Sequence, residues 1–237
     1  MRKLYYQTFD QHSLPEFNAS SETKGAIEVL DWTYSHYHVD ELVYACSFGI
    51  EGMVLIDLIS KVQPEARLAF LDTDMHFKET YQLIDEVKAK YPRLRIDMVK
   101  PELSLAEQAD RFDGELWKSD PNRCCEIRKV LPLKRVLSRS AAWISGLRRE
   151  QSETRRHTDY INIDHTFQAV KICPLIHWTW KDVWRYTAKN DLPYNPLHDT
   201  GYPSIGCYPC TQPAFTPEDM RSGRWSGSGK TECGLHT

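Results

Sequence analysis

The chain lacks any apolar stretch approaching the length of a membrane span, and its opening residues contain neither an apolar run nor a small-residue cleavage site. Both absences argue against a transmembrane helix and a secretory leader, so the protein is expected in the cytoplasm and away from membranes. An excess of one charge is missing too. Thirty Lys and Arg face 33 Asp and Glu, a formal net charge of −3, so bulk nucleic-acid binding is not expected. Internal repeats and low-complexity tracts are absent. The seven cysteines are an odd number in a chain without an export signal, which speaks against a disulfide framework.

The 237 residues suffice for one α/β domain with a tail. Apolar runs alternate with helical patterns, the signature of a mainly parallel sheet flanked by helices. Leu42–Cys46, Arg67–Leu71, Leu94–Val99, Ala141–Ser145 and Ala169–Cys173 read as strands. Glu51–Val62, Phe77–Tyr91 and Thr179–Lys189 read as helices, the second ended by Pro92. Cys46 and Cys173 sit within apolar runs and read as small buried hydrophobes. Residues 1–190 are thus expected to form an α/β domain with an N-terminal extension. Residues 191–237, rich in Pro, Gly and Ser, form an irregular C-terminal segment. The segment 1–22 reads as an arm or an oligomer contact, which leaves a homo-oligomer open.

Two strand-to-helix junctions could face a ligand. Ser47, Phe48 and Gly49 follow the first strand, where a small polar residue and a glycine let backbone N–H groups approach an anion at a helix N-terminus. Leu71, Asp72 and Thr73 close the second strand, and Asp72 could accept from a ribose or cap the next helix. Each alone is compatible with an ordinary βα turn. Together, on neighbouring strands, they favour a nucleotide site at the carboxyl ends of the sheet.

Cys124 and Cys125 are adjacent, and Cys207 and Cys210 form a CxxC. Four thiolates hold zinc or an iron–sulfur cluster. Neighbouring side chains diverge and chelate one small ion poorly, so the set leans toward [4Fe–4S], with zinc and four unrelated thiols as alternatives. Lys129 follows Cys125 by four residues, on the same face if the run is helical. It could balance thiolate charge or reach a substrate anion. In the tail, Arg221 and Arg224 are suited to phosphate or sulfate. Gly223, Gly227 and Gly229 suggest a mobile arm, with Cys233 near its end as a candidate nucleophile and His236 beside it.

Taken in order, Ser47–Gly49, Leu71–Thr73 with Glu79–Tyr81, Cys124–Lys129, Gly146–Arg155, Cys207–Cys210, Arg221-x-x-Arg224-Trp225 and Glu232–His236 resemble the adenylyl-sulfate and phosphoadenylyl-sulfate reductase family of assimilatory sulfate reduction. The resemblance spans nearly everything from about residue 40. It implies an adenine nucleotide α-hydrolase-like fold and reduction of adenylyl sulfate to sulfite and AMP. It implies a [4Fe–4S] cluster on Cys124, Cys125, Cys207 and Cys210, which marks members that use adenylyl sulfate, some of them also accepting phosphoadenylyl sulfate. Cys233 would form an S-sulfocysteine that thioredoxin or a glutaredoxin-like dithiol resolves. Lys129, Arg221, Arg224 and Arg148 or Arg149 would neutralise the substrate, and His236 would orient the thiolate or bind substrate. Gly52 and Asp74 depart from the family pattern, and both are expected to border the nucleotide.

Overall fold

The computed structural model describes residues 3–17, 23–216, 219–230 and 232–235. Six strands form one sheet: β1 Leu42–Cys46, β2 Arg67–Leu71, β3 Arg95–Val99, β4 Ala142–Ile144, β5 Ile161–Asp164 and β6 Ala169–Ile172. Their order is β3-β2-β1-β4-β6-β5, parallel except for the β5–β6 hairpin at one edge. Register is tight across the centre, with Tyr44 opposite both Leu68 and Ile144. The strand read at 169–173 therefore exists, but as sixth in the chain. Its partner β5 went unread because Ile161-Asn162-Ile163-Asp164, although it alternates as a half-buried edge strand does, carries only two periods of that pattern.

Helices cover both faces. α1 Thr23–His36, α2 Ile50–Val62, α3 Lys78–Lys90 and α8 Trp180–Lys189 share one core with Leu42, Tyr44, Leu68, Phe70 and Ile172. The intervening strand residues Val43, Ala69, Trp143 and Ala169 face the other way, onto Leu133, Val136 and Leu137 of α7 Leu131–Leu137. Both faces are covered, which is why the central strands read as continuous apolar runs. Between β3 and α7 in the chain come α4 Leu105–Arg111, α5 Leu116–Ser119 and α6 Pro121–Cys125. α8 starts on a capping box, Thr179 and Asp182 exchanging side-chain and backbone bonds of 3.1 and 2.9 Å. α3 stops at Tyr91, where the following Pro92 disfavours helical backbone.

The segment from Pro121 to Leu137 is not one uniform helix. A π turn, Glu126–Val130, separates α6 from α7, and the Leu131 N–H donates five residues back to the Glu126 carbonyl. Pro132 supplies the reason: it has no N–H to offer the Arg128 carbonyl, so the α ladder breaks there. Among the described residues no helix is long and apolar enough to cross a membrane.

Candidate active site

A cleft of about 400 Å³ opens at the carboxyl ends of β1, β2 and β4. It lies where the strand order reverses around β1, the place where open parallel sheets bind ligands. Ser47 and Gly49 line it, with Gly49 as the N-cap of α2. Phe48 does not. Its backbone adopts φ +54° and its ring turns inward, edge-on to Phe70 at 5.4 Å. That inward turn leaves Ser47 and Gly49 on the cleft-facing side of the loop.

Of the second junction only Leu71 reaches the cleft wall. Asp72 is buried and accepts from the Tyr81 hydroxyl at 2.7 Å and the Asp74 N–H at 3.1 Å, so it shapes the turn and does not face a ribose. Thr73 Oγ1 pairs with Cys207 Sγ at 3.2 Å, and its carbonyl accepts from Arg128 Nε at 2.8 Å. Asp74 also turns from the cleft, toward Lys100 at 2.5 Å and Arg128 at 3.3 Å. Gly52 does line it. A Cβ there would sit 3.2 Å from Cys46 Sγ, so the glycine lets α2 close on β1. Cys46 and Cys173 are buried as expected, and burial pushes their thiols up to about 12 and about 11.

Five cationic side chains line the cleft: Lys129, Arg148, Arg155, Arg221 and Arg224. Arg148 is buried and already holds Glu51 through Nε at 3.0 Å and Nη2 at 2.8 Å. Arg149 points outward to the Thr158 carbonyl and Asp159, because it starts a 3₁₀ turn that sends its side chain away from the sheet. Arg155 was not singled out from the sequence, although it closes the Gly146–Arg155 motif. Its position depends on how the loop after β4 folds back over the cleft. Burial alone would lower the Lys129 ammonium, but Cys207, Cys233 and Cys125 more than offset it and its pKa is raised. Lys129 thus stays charged between the thiols and the cleft.

The C-terminal segment closes the cleft. Cys233, half-buried, shares its wall with Lys129, Arg155, Arg221 and Arg224. Leu235 packs on the Val43–Trp143 core, and His236 lies outside the described residues. The tail is laced to the CxxC turn. Trp225 N–H donates to the Cys210 carbonyl at 3.1 Å and Gln212 N–H to the Gly223 carbonyl at 2.8 Å. Gly223 has a packing reason: a Cβ there would lie 2.1 Å from the Gln212 carbonyl oxygen.

Cys124, Cys125, Cys207 and Cys210 line one second, smaller cavity, with Lys129 and Trp225 in its wall as well as in that of the cleft. Burial, then the charges of Cys125, Cys207 and Cys210, push the Cys124 thiol up to about 12, and Cys210 rises to about 11 for like reasons. Such a set stays anionic only beside a compensating cation, as thiolate-bound iron provides. Among the described residues no three Cys, His, Asp or Glu side chains converge on a single-ion site. Four thiols in one cavity are a donor set that iron–sulfur and zinc sites both use, so the residues present fit such a group by their chemistry.

A mainly parallel sheet flanked by helices, with a cation-lined cleft at its switch point, defines an α/β protein whose site suits an anionic ligand. The family described as Phosphoadenosine phosphosulfate reductase domain matches residues 41–213. Over 233 residues the chain is 62% identical to a protein of Anoxybacillus flavithermus named adenosine 5'-phosphosulfate reductase, covering 98% of this chain and 99% of that one. A solved phosphoadenylyl-sulfate (PAPS) reductase of Candida auris, in a phosphate complex, superposes with a TM-score of 0.68 at 33% identity, covering 79% of this chain and 90% of that one. An NH3-dependent NAD synthetase of Campylobacter jejuni shares the fold alone, at a TM-score of 0.54 and 12% identity over 79% and 80% of the two chains. The chain belongs to the phosphoadenosine phosphosulfate reductase domain family.

Proposed function

We propose that this protein is a cofactor-bearing oxidoreductase acting on a sulfur group, which reduces adenylyl sulfate to sulfite and AMP in sulfate assimilation. The observation that carries this reading is the convergence of Cys233 with four arginines and Lys129 on one nucleotide-sized cleft. The relatives named for adenosine 5'-phosphosulfate, at about 60% identity over nearly the whole chain, favour that substrate over its 3′-phosphorylated form.

In this reading the phosphosulfate lies over Ser47 and Gly49 at the α2 N-terminus, with its oxygens neutralised by Lys129, Arg155, Arg221 and Arg224. The Cys233 thiolate attacks the sulfate sulfur. A new S–S bond forms, the bond from sulfur to the phosphate-bridging oxygen breaks, and AMP leaves with the electron pair. Cys233 then carries a sulfonate. One thiolate of a thioredoxin-like dithiol attacks Cys233 Sγ and expels sulfite, and the second thiol resolves the mixed disulfide, restoring Cys233. The dithiol thereby supplies both electrons. A [4Fe–4S] cluster on Cys124, Cys125, Cys207 and Cys210 would tie the two cysteine pairs together and fix the field around Lys129. Arg148 orients Glu51 and holds the loop after β4 against α2.

The test is an intact-protein mass spectrum after anaerobic incubation with adenylyl sulfate and no dithiol, with Cys233→Ser as control. A gain of one sulfonate in the wild type alone, removed by reduced thioredoxin, is expected. An iron-loaded protein that gains nothing would sink the S-sulfocysteine route.

A further inference from the structure

Glu232 immediately precedes Cys233, yet the reaction above makes no use of its carboxylate. The side chain is 11% exposed and lies in the cleft wall. Its two oxygens accept from Arg155 Nη2 at 2.8 and 3.0 Å, and one also accepts from Arg221 Nη2 at 3.2 Å. Ser152 Oγ stands 3.5 Å away. Arg155 is itself buried, and its other terminal nitrogen bonds Gln151 Oε1. A carboxylate gripped by two guanidinium groups occupies the position that a sulfate or phosphate oxygen pair would take. An incoming anion must displace Glu232 or divide these donors with it.

We propose that Glu232 is a latch: it fills the Arg155–Arg221 anion site when no substrate is bound, holds the tail closed, and yields to a sulfate or phosphate group that enters the cleft. The inference rests on the sulfonucleotide reading of the cleft, but its test needs no turnover. Closing the latch neutralises guanidinium groups that would otherwise repel one another in an empty cleft. It also keeps Cys233 seated until an anion arrives, and the tail must then reclose over bound adenylyl sulfate for Cys233 to reach the sulfur. The latched fraction weakens apparent substrate affinity, because only the unlatched state is competent to bind.

The experiment follows iodoacetamide labelling of Cys233, mapped by peptide mass, on the full-length iron-loaded protein under anaerobic conditions. Sodium sulfate should speed wild-type labelling about tenfold, the scale of trading a partly buried ion pair for an external anion, while sodium chloride of equal ionic strength should not. Bound sulfate brings negative charge beside Cys233, which by itself would slow alkylation, so acceleration reads opening of the tail. Glu232→Gln should label fast without sulfate and ignore its addition, and Glu232→Asp should restore the slow, sulfate-responsive state. With adenylyl sulfate, Glu232→Gln should lower KM and kcat together, whereas a merely structural role would raise KM. Labelling of Glu232→Gln at the wild-type rate, or sulfate acting no better than chloride, would overturn the latch. Should Glu232→Gln fail to load iron, the wild-type comparison of sulfate with chloride decides alone. Failure of the functional reading looks different: Cys233 would label as described here, yet gain no sulfonate from adenylyl sulfate.

Discussion

Trp225 is held at φ +49°, a left-handed backbone conformation that costs a non-glycine residue about 1 kcal/mol or more. Its surroundings hold it there. The side chain is 5% exposed, and the Arg224 guanidinium, Arg221 guanidinium and Lys230 ammonium lie 4.4, 5.7 and 5.9 Å from its ring centroid. The ring forms part of the wall between the cleft and the four-cysteine cavity. Truncation at this one residue joins the two spaces. On the proposed cluster-bearing reading, Trp225→Ala should bleach the iron–sulfur absorbance in air about tenfold faster than wild type, the wall having also lost about 3 kcal/mol of packing. Trp225→Phe should bleach at an intermediate rate. Equal bleaching in all three proteins would remove the wall role.

At the scale of elements, the π turn at Glu126–Val130 carries the most consequence. It lies between the buried pair Cys124–Cys125 and α7, and it contains both Arg128 and Lys129. Arg128 runs into the core, donating to the Thr73 carbonyl at 2.8 Å and Gln108 Oε1 at 3.0 Å, while Lys129 lines the cleft. Neighbouring residues thus diverge, one tethering the β2 loop and the other facing the cleft. Pro132→Ala returns an N–H to the Arg128 carbonyl and permits an unbroken α ladder, which rotates Lys129. Stability to urea should hold or rise, while turnover falls by about ten- to a hundredfold, the usual effect of a misplaced catalytic group. Full turnover in a protein of equal or greater stability would show that the π turn does not set the Lys129 position.

For the whole molecule, the decisive feature is that the tail is part of the site. Its three glycines read as an arm divide into two kinds. Gly227 and Gly229 face open space, whereas Gly223 sits against the backbone of Gln212 and Pro213. Gly223→Ala should push the tail off the CxxC turn without touching the sheet. Calorimetry should then find AMP bound about tenfold more weakly, on the scale of losing one charge-assisted phosphate contact, with the main unfolding transition unmoved. Wild-type affinity would mean that the arginines of the tail do not contact the nucleotide.

The sequence by itself determined the five parallel strands and the helices α2, α3 and α8, because both faces of the central strands are buried and their apolar runs are unmistakable, whereas β5 and α1 went unread. It also marked the chemistry-bearing types: the paired cysteines, the CxxC, Lys129, the tail arginines and Cys233. Tertiary packing decided which of these share a space. Phe48, Asp72, Thr73 and Arg149 carry the right motif yet face the core or solvent, since a motif fixes residue order and not side-chain direction. Arg155, Glu232 and the wall at Trp225 carried no separate local signal. They matter because the loop after β4 and the C-terminal segment fold onto the same end of the sheet. Periodicity is a property of neighbours in the chain, so it is legible in one dimension. Convergence of distant segments depends on how whole layers pack, and only the folded chain expresses it.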